Sequence, residues 1–478
     1  MPDDPQQRLA GALVQADPLL NELGELFTAK GYQVAVVGGW IRDALLGGAG
    51  LDHDLDLTTD APPEEIVKII RPWADAHWEV GIAFGTVGAR KRGKVFEITT
   101  YRSEVYRNES RKPEVTYGTT LEDDLLRRDF TINALAVALP GRRLIDPHGG
   151  LRDLRAGLLR TPARPEDSFS DDPLRMMRAA RFAAQLGFRV DVSVTTAMKA
   201  MSNRLAIVSA ERIRDELVKL VCAPRPRAGL SVLVETGLAD QMLPELPRLA
   251  LEIDEHHRHK DVYEHTLTVL EQAIELEEPG SSPDFVLRFA ALMHDVGKPR
   301  TRRFEPGGGV SFHHHEVVGA KLTAARMRAL RFPNDVTADV SRLVELHLRF
   351  HGYGTGEWKD AAVRRYVADA GPLLDRLHKL TRSDSTTRNR RKAEQLRRAY
   401  DDLENRIARL REQEELDAIR PDLNGDDIMR VLGVPPGPLV GRAWKHLKEL
   451  RLDRGPLDRA QAEEELLRWW AEQPENRG

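Results

Sequence analysis

A single cysteine, Cys222, stands in a chain of 478 residues, so no disulfide can close within it. No stretch approaches the ~20 consecutive apolar residues that cross a bilayer, which excludes a helical membrane span. The start, Met1-Pro2-Asp3-Asp4, has neither a positive n-region nor an apolar h-region, so no secretory signal is expected. Net charge is also scarce, because 71 Lys and Arg stand against 75 Asp and Glu, leaving −4. A chain this close to neutrality does not coat nucleic acid indiscriminately, and any such contact must be local. The basic clusters are indeed local: Arg127-Arg128, then Arg175, Arg178 and Arg181, then Arg388 with Arg390-Arg391-Lys392 and Arg397-Arg398. For each of them a solvated helix face is the plain alternative. At ~150 residues per domain the length holds about three domains, and the expectation is a cytoplasmic multidomain enzyme without a repeat.

What is present begins with Val36-Val37-Gly38-Gly39-Trp40-Ile41-Arg42-Asp43, followed by Asp54-Leu55-Asp56-Leu57-Thr58-Thr59. In an extended strand Asp54 and Asp56 point to one face, because side chains alternate with period two. Two carboxylates side by side repel unless a divalent cation bridges them. Gly38 and Gly39 let backbone N–H groups approach a phosphate closely. Together these features point to metal-assisted phosphoryl transfer involving a nucleotide; an acidic loop on a solvated surface is the competing reading.

Residues 32–160 mix strand-like runs (33–37, 85–89, 95–99, 135–139) with short helical stretches and many glycines, the pattern of a compact mixed α/β domain. After Pro162 the pattern turns helical, with Asp172-Pro173 as a helix start leading into Leu174, Met177, Ala180 and Phe182. A histidine-rich stretch, Asp254-Glu255-His256-His257-Arg258-His259-Lys260-Asp261, opens a second region. Arg388 to Glu415 reads as one long exposed helix.

Four segments line up in order: the glycine turn with Asp54-Leu55-Asp56; Leu126-Arg127-Arg128-Asp129-Phe130-Thr131-Ile132-Asn133; Asp171-Asp172-Pro173-Leu174-Arg175-Met176-Met177-Arg178-Ala179-Ala180-Arg181; and Glu211-Arg212-Ile213. This set resembles the class II tRNA nucleotidyltransferase and bacterial poly(A) polymerase family over residues 30–245. The resemblance implies a head in which Asp54 and Asp56 hold Mg²⁺ for a two-metal displacement. Glu97 falls where the family has a further acid; either it supports the metal or it pairs with Arg102 or Arg42. Gly38, Gly39, Arg42, Arg128, Asp129, Asn133, Asp172, Arg175, Arg178 and Arg181 fall in the nucleotide-binding segments, with Arg128 and Asp129 matching ribose and triphosphate recognition. Asp171 stands where relatives usually carry Glu. The place of the family's C-to-A switching loop, Tyr101 to Tyr117, reads Glu109-Ser110-Arg111-Lys112-Pro113 where the usual form has an Asp-Arg pair.

The pair Asp172 and Arg175 also admits an argument from chemistry. At i and i+3 on one helix face, a carboxylate acceptor and a guanidinium donor are presented together. Cytosine and adenine each offer an amino donor beside a ring-nitrogen acceptor, so one such pair reads both. Uracil and guanine present a carbonyl and an N–H instead, leaving groups unsatisfied at about 1–3 kcal/mol each.

A second constellation is Tyr263-Glu264-His265-Thr266, Met293-His294-Asp295-Val296-Gly297-Lys298-Pro299, His313-His314-His315, His347 and Asp384. It resembles the HD phosphohydrolase superfamily. The resemblance implies a mixed N/O metal site from His265, His294, Asp295, His315, His347 and Asp384, suited to Ni²⁺, Mn²⁺, Co²⁺ or Fe²⁺. Such a site could remove phosphates or open 2′,3′-cyclic phosphates at damaged RNA ends. His256, His257 and His259 are further metal or RNA candidates or a solvated cluster. The segment Asn424-Gly425-Asp426-Asp427 resembles the family's C-terminal helical element, and either supports a tRNA acceptor arm or only packs.

The expected fold class is therefore α+β: a small mixed α/β head at 1–160, a helical neck and base-recognition region at 161–248, an HD domain at 249–387 and a helical tail at 388–478, the body after the head being elongated and all helical. The expected activity is CCA addition to tRNA from CTP and ATP by a monomer or homodimer without a membrane partner. A-adding or poly(A) activity and a mainly phosphohydrolase role are the alternatives; no extended basic tail of the kind poly(A) polymerases carry is present.

Overall fold

The computed structural model describes residues 18–48, 55–82, 85–105, 114–117, 120–251, 262–306, 310–350, 353, 358–386, 390–414 and 420–473. Asp54, the 109–113 segment and His256, His257 and His259 lie outside these residues. The chain divides into two compact units, one ending at Pro244 and the other beginning at Glu245.

The first unit is built on a mixed sheet. Its strands, with a separate hairpin, are β1 (Val34–Val37), β2 (Leu55–Thr59), β3 (Ala76–Trp78), β4 (Thr86–Lys91), β5 (Lys94–Thr100), β6 (Arg102–Val105), β7 (Glu114–Tyr117), β8 (Ala136–Leu139) and β9 (Arg143–Ile145). Seven of them form one sheet in the order β3-β4-β5-β2-β1-β8-β9, while β6 and β7 pair separately. β2 and β5 run parallel in a register that sets Asp56 beside Glu97 and Thr58 beside Thr99. Alternation divides these strands cleanly. Leu55, Leu57, Phe96 and Ile98 are buried, whereas Asp56 and Glu97 are exposed on the other face.

Helices follow the sheet. Pro165–Asp171 leads to Leu174–Leu186, and Ala210–Val221 packs against the latter. Asp172 lies between the first two and is extended, with φ −147° and ψ 103°. This corrects the expectation that Asp172 and Arg175 share one helix face. Pro173 clashes with an α-helical predecessor, so the residue before it is driven to the extended region.

The second unit is helical apart from a short hairpin of Arg303–Phe304 with Val310–Ser311. The long helix Arg390–Glu414 is present, but it is not the exposed rod its charges suggest. Tyr400, Leu403, Ile407 and Leu410, spaced by three and four, form a buried stripe. Three C-terminal helices close a small core of Leu423, Ile428, Ala443, Leu447, Ala462 and Leu466, the first of them opened by a capping box between Asn424 and Asp427.

Candidate functional sites

A cavity of about 410 Å³ opens on the polar face of the sheet. Asp56, Thr58, Thr86, Glu97 and Thr99 form its floor, and Asp124, Arg127, Arg128, Asp129, Asp172, Arg175, Arg178 and Arg212 are among its walls. Adjacent parallel strands stand ~4.8 Å apart, so the in-register carboxylates of Asp56 and Glu97 face one region of the cavity. That arrangement suits a divalent cation. The guanidinium of Arg42 is spent on Asp43 and on Asn133 Oδ1 at 2.8 Å, not on Glu97.

The glycine turn is adjacent. Gly38 has φ 84°, and a Cβ built there would lie 3.3 Å from Asp56 Oδ2 and 3.4 Å from an Arg128 guanidinium nitrogen. A side chain would therefore crowd both the acid and the arginine of the cavity. Arg128 is held in turn by Asp124 at 3.2 Å.

Behind the wall runs a continuous buried network. Asp129 Oδ1 accepts from Phe130 N at 2.8 Å and Asn133 Nδ2 at 2.9 Å, while Oδ2 accepts from Arg178 Nε at 2.8 Å and from its NH2. These four bonds fill the acceptor sites of the carboxylate, so in this structure Asp129 serves to hold Arg178 rather than to offer free lone pairs to a sugar. Burial opposes the charge on Asp129, but Arg178 and Asn133 override it and hold the carboxyl well below the usual range. Arg181 donates to Glu216 at 2.6 Å and to Gln185 at 2.9 Å. The guanidiniums of Arg42, Arg178 and Arg181 surround the Phe182 ring at 5.0, 5.5 and 4.2 Å. Arg42, Asn133 and Arg181, expected among the nucleotide contacts, are thus buried supports and do not line the cavity.

Asp172 and Arg175 do line it. Arg175 donates to Ser168 Oγ at 2.9 Å and to the Arg127 carbonyl, and Asp172 accepts from Leu174 N at 3.1 Å and from Arg212 at 2.9 Å. Both heads are therefore fixed before any ligand arrives. Sequence reasoning passed over Arg212 and Glu216 as site residues. Their spacing of four on the Ala210–Val221 helix was the available signal, since it places them on one face.

The second unit gathers all six expected metal ligands. His265 lies on the Val262–Glu275 helix; His294 and Asp295 follow Phe285–Met293; His315 begins His315–Ala329; His347 follows Asn334–Leu346; Asp384 ends Leu374–Asp384. The ligand atoms of His265, His294 and Asp384 lie within 4.8 Å of one another, as do those of Asp295, His315 and His347. Nδ1 of His294, His315 and His347 meets the carbonyl three residues earlier at 2.8, 2.9 and 2.7 Å. That bond assigns the proton to Nδ1 and turns the Nε2 lone pair inward, as second partners of metal-ligating histidines do. All three Nε2 atoms are buried without a hydrogen bond. His294 Nε2 is 3.2 Å from Asp295 Oδ2 and His315 Nε2 is 3.3 Å from Asp295 Oδ1, but neither contact is aligned as a hydrogen bond. Apart from the 3.0 Å hydrogen bond between His265 Nε2 and Asp384 Oδ1, the donors converge on common points rather than on each other, an arrangement a cation would complete.

Electrostatics reinforce that reading. Burial lowers the His294 pKa, but Asp295 and Asp384 override it and raise it to about 10, so their charge favours a cation at Nε2, a proton that a metal ion would displace. His347, buried beside His294, is pushed down to about 3. The cluster also depends on one glycine. A Cβ on Gly297 would lie 2.0 Å from the His315 carbonyl oxygen, so only glycine lets the segment after Asp295 meet the start of the His315 helix.

An acid-bearing mixed sheet with a base-sized cavity, followed by helices, and a separate histidine and aspartate cluster define a nucleotidyltransferase head joined to an HD domain. Family models agree: a poly A polymerase head domain at residues 34–160, the probable RNA and SrmB-binding site of polymerase A at 187–249, and an HD domain at 262–409. The A-adding tRNA nucleotidyltransferase of Deinococcus radiodurans is 35% identical over 449 residues, 92% of this chain and 96% of its own. The CCA-adding enzyme of Lactobacillus johnsonii is 40% identical over 234 residues, 47% of this chain, and the match spans 57% of that enzyme. Among solved structures, the Bacillus stearothermophilus CCA-adding enzyme in complex with CTP superposes with a TM-score of 0.64 at 24% identity, covering 96% of this chain and 99% of that one. The Thermotoga maritima CCA-adding enzyme complexed with tRNA gives 0.61 at 19%, covering 98% and 99%. The chain belongs to the tRNA nucleotidyltransferase family with a poly(A) polymerase head. No helix among the described residues is long and apolar enough to cross a membrane.

Proposed function

We propose that this chain adds C, C and A to tRNA 3′ ends from CTP and ATP in the cytoplasm. The observation that carries the reading is one cavity that joins Asp56 and Glu97 on its floor to Asp172 and Arg175 on its wall. Asp56, Glu97 and, on its sequence position, Asp54 would hold Mg²⁺, which lowers the pKa of the RNA 3′-hydroxyl and neutralises the leaving pyrophosphate. Arg128, between Asp124 and the glycine turn, and Arg178, on Asp129, supply positive charge for the triphosphate. Asp172 accepts from the amino group of cytosine or adenine, and Arg175 donates to the neighbouring ring nitrogen. Uracil and guanine reverse both partners and leave fixed groups unpaired. Ser168, the Arg127 carbonyl and Arg212 hold the reading pair in place, so selection needs no nucleic-acid template.

A second reading, A addition alone, is favoured by the full-length likeness to the Deinococcus radiodurans A-adding protein. Extension of tRNA lacking its 3′ CCA with single nucleotides separates the two. CTP followed by ATP incorporation supports CCA addition; ATP without CTP establishes the second reading.

For the HD cluster, the six-ligand N/O set favours Ni²⁺, Mn²⁺, Co²⁺ or Fe²⁺ over Mg²⁺. The role proposed for it is hydrolysis of phosphates or 2′,3′-cyclic phosphates at RNA ends, restoring the hydroxyl that the head requires. His294→Ala is expected to abolish metal-dependent hydrolysis and to leave nucleotide incorporation within about twofold; loss of both together would contradict separate roles.

A further inference from the structure

The hairpin between the HD ligands Asp295 and His315 carries chemistry that the metal cluster does not use. Phe304 is 77% exposed although it is a large aromatic side chain. The Arg302 guanidinium stacks on its ring at 5.2 Å from the centroid, and Arg300, Arg302 and Arg303 are all exposed. Glu305, the single acid between Lys298 and Phe312, accepts from Ser311 Oγ.

Both roots of this hairpin rest on the cluster. On the entering side, Lys298 Nζ donates to Asp295 Oδ2 at 2.8 Å and lies over the Phe312 ring at 5.7 Å. On the leaving side, the Phe312 carbonyl accepts from His315 Nδ1 at 2.9 Å. Phe304 pairs with Val310, only two residues of strand, about 7 Å, from Phe312. An aromatic face beside guanidiniums, one short step from a metal-ligand cluster, matches a nucleotide in both of its parts, a stackable base and an anionic phosphate.

We infer that this hairpin is a nucleobase-stacking platform for the HD site. Phe304 takes the face of the terminal base, Arg300 and Arg302, the latter already beside the ring, attract the backbone phosphates, and the phosphate ester to be cleaved lies over the cluster. The inference rests on the hydrolase reading and adds that the RNA end is held by the face of its base as well as by its phosphate, so a base-free phosphate ester binds without this contact.

The test compares the full chain with Mn²⁺ on adenosine 2′,3′-cyclic phosphate and on glycerol 2-phosphate. Phe304→Ala is expected to raise KM for the nucleotide at least about fivefold, the scale of one lost base stack, with kcat within about twofold. KM for glycerol 2-phosphate stays unchanged, and Phe304→Trp restores the nucleotide KM. An unchanged nucleotide KM, or an equal rise for both substrates, overturns the platform. Should the full chain hydrolyse neither substrate, the hydrolase reading fails, and the platform is judged by the indole in Phe304→Trp. Adenosine 2′-phosphate is expected to quench fluorescence of this variant beyond any change in the wild type; no added quenching overturns the platform.

Discussion

At the scale of single residues, the head depends on carboxylates whose partners decide what they can do. Asp129 is buried with all four acceptor sites filled, whereas Asp56 and Glu97 line the cavity, so the same functional group serves as a strut in one place and, in the proposed reaction, as a cation ligand in the other. Replacing Asp129 by Asn removes the charge opposite Arg178, whose side chain is one-third exposed, so water screens part of the loss. The expected cost is roughly 1.5–3 kcal/mol, the range for hydrogen bonds to charged groups. The sign with pH follows from the direction of the shift. Asp129 is held below its unfolded pKa of ~3.9, so its contribution is fully present above that value and is lost as pH falls through it toward the folded pKa. Urea unfolding of wild type and Asp129→Asn is therefore expected to differ near neutral pH and to converge as the acid limb is descended. A constant gap from pH 7 to pH 2 would remove the ionic pair as the cause.

At the scale of elements, the Ala210–Val221 helix backs the nucleotide cavity without supplying its floor. Arg212, on the cavity wall, grips Asp172, and Glu216, one turn on, holds Arg181 at 2.6 Å and lies 3.8 Å from Arg178. Arg212→Ala is expected to loosen Asp172 and to lower discrimination of CTP and ATP against UTP and GTP. Because Arg212 is 44% exposed, about 1 kcal/mol, or fivefold in the ratio of kcat/KM values, is the appropriate size. An unchanged ratio would show that Asp172 is positioned by Leu174 N and Pro173 alone. Elements also mark the limits of what the sequence made legible. The strands around Asp56 and Glu97 were readable from alternation, His294-Asp295 from the helix-stop residues after it, and the other four candidate ligands of the HD cluster only from the family resemblance. Asp172-Pro173 was legible as a helix start, and Asp172 accepts from Leu174 N there, but the i, i+3 spacing to Arg175 was read as a shared helix face although the proline holds Asp172 extended. The buried stripe of Arg390–Glu414 was hidden because four apolar residues sat among many charges, and charge count was read in place of period. The bracing of Arg42, Arg178 and Arg181 around Phe182 joins residues up to 140 positions apart, and spacing within a segment carries no information about such contacts.

At the scale of the whole molecule, the two compact units each own a core and a candidate site, and the cation dependence expected of them differs in kind. The acids on the head's floor lie on a sheet whose core, Leu55, Leu57, Phe96 and Ile98 included, closes on the opposite face without them. In the second unit six candidate ligands from five places in the chain are packed at or near helix ends, and three buried imidazole nitrogens make no hydrogen bond. A cation there is bound by the folded state and not by the unfolded chain, so it stabilises by mass action, about 4 kcal/mol at a free concentration a thousand times its Kd. Removing it leaves those nitrogens desolvated and leaves Asp295 to Lys298 and Asp384 to His265 as partners. Calorimetry of the full chain is therefore expected to show two transitions, of which chelation lowers one by several degrees and leaves the other within about a degree. His294→Ala, which removes a ligand, is expected to abolish the chelator's effect on that transition, while Asp56→Ala leaves it intact and instead eliminates nucleotide incorporation. A chelator shift of equal size in both transitions, or one that survives His294→Ala, would place the stabilising cation somewhere other than this cluster.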